Sequence, residues 1–165
     1  MVAAARFLTA PDGPNVAVLE AGGWDTHANQ GAATGALANR FRGLDEGLTE
    51  LQTGMGSNWS NTVVAVVTEF SRTVEVNGTR GTDHGTATAA LLLGGAVNGG
   101  RVIADWPGLR ASELYGGRDL YPTTDLRSVF KGVLADHLLI PTGYIEREVF
   151  PDSEGAKPMK GLIRS

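Results

Sequence analysis

Apolar positions recur along this chain in two rhythms. Leu37, Phe41, Leu44, Leu48 and Leu51 follow one another in alternating steps of four and three, which stacks them on one face of a helix predicted over residues 32–53. The glycine-rich stretch 54–58 supplies the permissive backbone expected where such a helix ends. Leu126, Val129, Phe130, Val133 and Leu134 give a second helix over residues 124–138, with Pro122 ahead of it and Pro141 and Gly143 stopping it. The other rhythm is a continuous apolar run. Residues 62–68, rich in valine and bounded by turn formers, read as a central strand. Residues 15–20, 89–93 and 101–104 read as further short buried strands. Residues 1–10 have the character of a helix already under way, broken by the turn Pro11-Asp12-Gly13-Pro14. Residues 146–165 are polar, hold Pro151 and Pro158, and predict a loosely attached tail.

Strand 15–20, helix 32–53 and strand 62–68 occur in the order of a βαβ unit, which predicts an α/β fold with parallel strands and a right-handed crossover. Parallel strands release their carboxyl ends at one edge of the sheet, where ligands of open α/β folds sit. Gly22-Gly23-Trp24-Asp25-Thr26-His27 leaves the first strand and Glu69-Phe70-Ser71-Arg72 leaves the second, so these groups are expected side by side. The loop closing with Gly81-Thr82-Asp83-His84-Gly85 adds two more polar groups at the same rim.

Neutral imidazole and carboxylate oxygen are the ligands of divalent cations such as zinc or manganese. Asp25, His27, Glu69, Asp83 and His84 offer five such groups, and the flanking glycines let the backbone bend until short side chains converge. Taken singly, each Asp/His pair is an ordinary turn former and loop cap. Two pairs on adjoining strand ends, with Glu69 between them, point instead to a metal site. Arg72 is an anion clamp for an ester or the salt-bridge partner of Glu69. His137, next to Asp136 on the second helix, reads as a surface residue, and Trp24 as packing or as a wall of the site. Ser71, Thr73 and Thr82 lie in no recognisable nucleophile arrangement.

Composition narrows the field. A chain of 165 residues is long enough for a buried core, and its net charge of −4 with no basic stripe disfavours nucleic acid as a partner. With no cysteine there is no disulfide, thiolate metal site or cysteine nucleophile. No apolar run reaches the roughly 18–20 residues that span a bilayer. The first residues lack the charged region of a signal peptide, so this chain as it stands is expected in the cytoplasm.

The motifs around Trp24-Asp25-Thr26-His27, Thr68-Glu69-Phe70-Ser71-Arg72, Gly81-Thr82-Asp83-His84-Gly85, residues 94–100 and residues 117–127 occur in one order. Together they resemble an uncharacterised bacterial family whose full-length members usually carry a twin-arginine export signal. That family is placed in the alkaline-phosphatase-like superfamily, with sulfatases and cofactor-independent phosphoglycerate mutases. The resemblance implies a three-layer sandwich around a mostly parallel central sheet, incomplete at its N-terminus, with residues 1–145 as the C-terminal part of such a domain. It also implies a periplasmic or exported full-length protein, a divalent metal ion, and a small anionic ester as substrate. The resemblance admits two registers. In one, Asp83-His84-Gly85 itself matches the Asp-His-Gly ligand motif. In the preferred one, Asp25 and His27 match a shortened ligand pair, Glu69 stands where the Asp of that motif falls, and His84 matches a late ligating histidine, with Asp83 a further ligand or the residue that orients His84. Phe70 departs from the pattern by replacing a ligating histidine. The superfamily's nucleophile and first Asp ligand would precede this chain. The expected function is thus part of a metal-dependent hydrolase of phosphate or sulfate esters, one that is expected to need the preceding half for activity. The alternative is a non-catalytic exported binding or assembly protein that keeps the fold with a degraded site.

Overall fold

The computed structural model describes residues 1–164, so Ser165 of the expected tail lies outside the described residues. Helix α1 (Val2–Leu8) is built on three consecutive alanines, the strongest helix formers. It lies against α2 (Ala36–Met55), where Ala4 and Ala5 meet Leu51 and Met55 in a buried cluster edged by Met1, Leu8, Trp59 and Val64. Gly54 makes this approach possible, because a Cβ there would come within 2.6 Å of the Ala5 methyl. Helix α2 begins four residues later than its apolar stripe predicts. Gly31 and Gly35 adopt φ of 76° and 107°, and the chain between them turns instead of coiling. Of the stripe, Leu51 is buried, Leu37, Leu44 and Leu48 are half-buried, and Phe41 leans edge-on against Trp24 at 5.1 Å.

The expected three-layer sandwich with a mostly parallel sheet is overturned. Strand β1 (Val64–Val66) pairs only with β4 (Leu91–Leu93), antiparallel, with Val64 opposite Leu93. Strands β2 (Ser71–Arg72) and β3 (His84–Gly85) form a second antiparallel pair, with Arg72 opposite His84. Among the described residues there is no parallel pairing, and residues 15–20 and 101–104 form no strand. The physical reason is the choice of partner. The run after β1 returns through the loop as its neighbour, and residues 15–20 find no backbone to pair with. Their side chains are accordingly exposed, Val18 by 95% and Val102, in the other unpaired run, by 92%.

Helix α3 (Leu126–Asp136) starts at Asp125, whose carboxylate accepts the Arg127 backbone N–H at 2.9 Å. The C-terminal stretch lies across it. Gly132 gives it passage, since a Cβ would strike the Met159 carbonyl, and the Met159 N–H donates to the Ser128 carbonyl at 2.8 Å. The wholly buried Lys131 donates from Nζ to the Ser153 carbonyl at 2.7 Å, with Glu146 at 3.8 Å. Asn98 and Arg164 donate backbone N–H groups to Leu162 and Ala96, which ties the chain end to the turn after β4. No helix among the described residues is long and apolar enough to cross a membrane.

Leu51 is the side chain through which α1 and α2 share a core. Leu51→Ala should lower unfolding free energy by about 2–5 kcal/mol, read from urea denaturation by tryptophan fluorescence. A loss below about 1 kcal/mol would remove this cluster from the stability-determining core.

Candidate metal centre

Two irregular segments are stitched into an antiparallel seam. The Asn29 N–H donates to the Thr79 carbonyl at 3.0 Å, Gln30 N–H to Arg80 at 2.9 Å, and Thr82 N–H to Thr26 at 3.2 Å. Gly81 sits where the strands are closest: a Cβ there would lie 2.2 Å from the His27 carbonyl carbon and 2.5 Å from the Thr26 oxygen. Only hydrogen fits.

Asn77 completes the seam with its side-chain amide. Its Oδ1 accepts N–H bonds from Thr79 and Gly81, each at 3.0 Å, shaping the turn. Its Nδ2 donates to the His27 carbonyl at 3.0 Å and to Asp83 Oδ1 at 2.9 Å. Asn77 escaped the sequence reading, although Asn77-Gly78 is the dipeptide that most strongly marks a tight turn. Gln30 escaped as well. Its Oε1 accepts from the hydroxyls of Thr82 at 2.6 Å and Thr26 at 2.8 Å.

This frame brings Asp25, His27 and His84 together. Asp25 Oδ1 lies 2.9 Å from His27 Nε2 and 2.9 Å from His84 Nε2, and the two imidazole nitrogens are 3.1 Å apart. Asp83 does not join this trio of ligand atoms. It lies 3.2 Å from His27 Nδ1, so that a proton on Nδ1 is shared with Asp83 and, in that tautomer, the Nε2 lone pair is directed at Asp25. Glu69 also lies outside the trio, accepting the Thr68 hydroxyl at 3.1 Å. His84 is braced by Phe70, whose ring centroid is 4.2 Å away. The side chains of this trio are 44–61% exposed, and cavities of about 190 Å³ beside Trp24 and about 370 Å³ beside Arg80 do not contain them.

Arg72 is committed to the frame. Its Nη1 donates to Asp25 Oδ1 at 2.6 Å, its Nε to Thr82 Oγ1 at 3.1 Å, and its Nη2 to the Thr82 carbonyl. The result is a relay in which Gln30 holds Thr82, Thr82 holds Arg72, and Arg72 holds Asp25. Hydrogen bonds from His84 and Arg72 pull the Asp25 carboxyl down to about 2. Asn77 and His27 likewise lower that of Asp83.

The donor set fits a small divalent ion. With the His27 proton on Nδ1 against Asp83, the Nε2 lone pair and the Asp25 carboxylate oxygen stand 2.9 Å apart, a pair of donors that a cation between them would satisfy. Neighbouring ligands about 2.1 Å from an ion stand about 3.0 Å apart on an octahedral face and about 3.4 Å apart in a tetrahedron. The observed 2.9–3.1 Å matches the octahedral face, the pattern of a two-histidine, one-carboxylate triad with open positions.

Residues 2–141 match a protein family described as Protein of unknown function (DUF1501), a span that includes every residue of this cluster. No curated protein matches the chain, and no solved structure does.

Two expectations follow from this geometry. Gly81→Ala should force the seam apart at His27 and lower the melting temperature, and isothermal titration with Mn²⁺ should show affinity reduced by about tenfold or more; unchanged affinity would mean that the seam does not set the ligand geometry. The second concerns pH. Because the Asp25 carboxyl titrates in the folded chain near 2, below its ordinary 3.8, its contribution to stability is complete above pH 3.8 and disappears as pH falls through about 2. With chelator present, the urea midpoints of the parent and Asp25→Asn should diverge between these values and run parallel above them. A gap independent of pH would contradict the assignment.

Proposed function

The chain belongs to the DUF1501 family, and we propose that it carries the divalent-metal centre of a hydrolase acting on small phosphate or sulfate esters. The observation that carries this reading is the convergence of Asp25 Oδ1, His27 Nε2 and His84 Nε2 within 3.1 Å of one another on open surface. These three residues would hold the ion, and exposure leaves room beside them for an ester. A bound divalent cation supplies Lewis-acid polarisation of the ester oxygen and acidifies water. A His27 proton shared with Asp83 at Nδ1 would keep the Nε2 lone pair available, and the hydrogen bonds of His84 and Arg72 keep Asp25 anionic to low pH. The hydroxyls of Ser71, Thr73 and Thr82 donate to the Arg72 carbonyl, the Glu75 carbonyl and Gln30, respectively. None of these three is poised as a nucleophile.

A second reading has its own support. The exposed apolar side chains Val16, Val18, Val102 and Ile103 favour a non-catalytic assembly protein in which these unpaired runs meet another chain. Sedimentation velocity separates the two: a monomer that turns over ester supports the hydrolase, and a stable oligomer without turnover supports assembly.

The decisive measurement is metal titration by calorimetry followed by hydrolysis of p-nitrophenyl phosphate and p-nitrophenyl sulfate. His84→Ala should abolish both metal binding and turnover. Asp83→Asn, which removes an outer partner and no ligand, should weaken metal binding by about 10–100-fold. Metal affinity indifferent to both substitutions would refute the centre.

A further inference from the structure

We infer that Arg118 is the residue by which this site recognises a tetrahedral oxyanion, the phosphate or sulfate group of its substrate. The inference deepens the metal-hydrolase reading and rests on it. Gly116 and Gly117, with φ of 60° and 68°, turn a tight hairpin in which Tyr115 and Asp119 exchange backbone hydrogen bonds at 2.9 and 3.1 Å. The hairpin is laid on the metal-binding loop. The Val74 N–H donates to the Arg118 carbonyl at 3.2 Å, and Arg118 Nη2 reaches the carbonyl of His84 at 3.3 Å. The guanidinium is therefore anchored to the backbone of a ligand residue.

What holds it there is a buried carboxylate. Asp119 is only 2% exposed and accepts from Arg118 Nε at 2.9 Å, from Arg118 Nη2 at 3.0 Å and from the Thr86 hydroxyl at 2.8 Å. This bidentate grip fixes one edge of the guanidinium. Nη1, on the other side, makes no hydrogen bond among the described residues, and the side chain is 61% exposed. A guanidinium fixed from behind in this way leaves the two N–H groups of Nη1 as charged donors on an exposed side chain, free to take the oxygens of a phosphate or sulfate group. Arg72 cannot serve this purpose, because all three of its nitrogens are engaged by Asp25 and Thr82. The anion clamp expected of Arg72 from sequence thus passes to Arg118, and Arg72 serves as counter-ion to a ligand.

The test titrates inorganic phosphate, and separately sulfate, into the full chain loaded with Mn²⁺. Arg118→Gln should weaken anion binding by about tenfold or more while Mn²⁺ affinity stays within about twofold. Arg118→Lys, which keeps the charge and loses the guanidinium that Asp119 holds in place, should fall between. Should Arg118→Gln melt early because Asp119 loses its partner, Arg118→Lys alone decides: a loss of about fivefold or more supports the inference, and parent-like anion affinity overturns it. Parent-like phosphate and sulfate affinity in a folded, Mn²⁺-loaded Arg118→Gln protein overturns it as well. Failure of the parent to bind Mn²⁺ would instead sink the metal reading, and anion titration of the metal-free parent against Arg118→Lys would then judge Arg118 separately.

Discussion

The candidate centre depends on the close approach of residues 26–30 to residues 79–82. His27 and His84 are 57 positions apart, and no local preference could bring their rings to 4.8 Å. The approach is made by backbone hydrogen bonds that stabilise by about 0.5–1.5 kcal/mol each. It is permitted by the missing side chain at Gly81 and locked by the Asn77 amide, which bonds the turn, the opposite strand and Asp83 at once. A small number of ordinary interactions thus carries a precise chemical outcome, because each acts on the same few atoms.

Charge is organised with the same economy. Three carboxylates near the hairpin each have a dedicated partner: Asp25 with Arg72, Asp83 with His27 and Asn77, Asp119 with Arg118. The two exposed ones are held anionic by directional hydrogen bonds, since exposed ion pairing by itself contributes little. The buried one is satisfied by a bidentate arginine and a threonine hydroxyl, which is the condition under which a carboxylate tolerates removal from water. Arginines 72 and 118 differ in exposure and in how many of their nitrogens remain available.

The helices were legible because their signal is local. The stripe from Leu37 to Leu51 and the one from Leu126 to Leu134 each specify a face without knowing what covers it, and both lie on helices. The sheet was not legible for the converse reason. An apolar run such as residues 15–20 states that a strand could form, and says nothing of its partner; here Val18 lies in solvent and β1 pairs with the later run instead. At the site, glycine-flanked Asp and His drew attention to Asp25, His27 and His84, which the fold does bring together. The route is different from the expected one, however: they meet across an antiparallel seam, not at the ends of parallel strands. Glu69 belongs to a motif that resembles a ligand position, and the fold leaves it beside Thr68. Asn77 announces its turn locally through Asn77-Gly78, but its bond to the His27 carbonyl, like that of Gln30 to Thr82, joins positions about fifty residues apart that no local pattern connects.

His27 and His84 bracket all of α2 and β1, so an ion gripped by both would act as a reversible crosslink in a chain that has no cysteine. A disulfide constrains the denatured chain as well as the native one, and its effect grows with the length of the loop it closes. A coordinated ion that binds only the folded form leaves the denatured chain unconstrained. Its reinforcement is set by the concentration of free cation relative to the dissociation constant. The rigidity of this half of the molecule would then be a property of its surroundings as much as of its sequence, tightening where the cation is plentiful and relaxing where it is scarce.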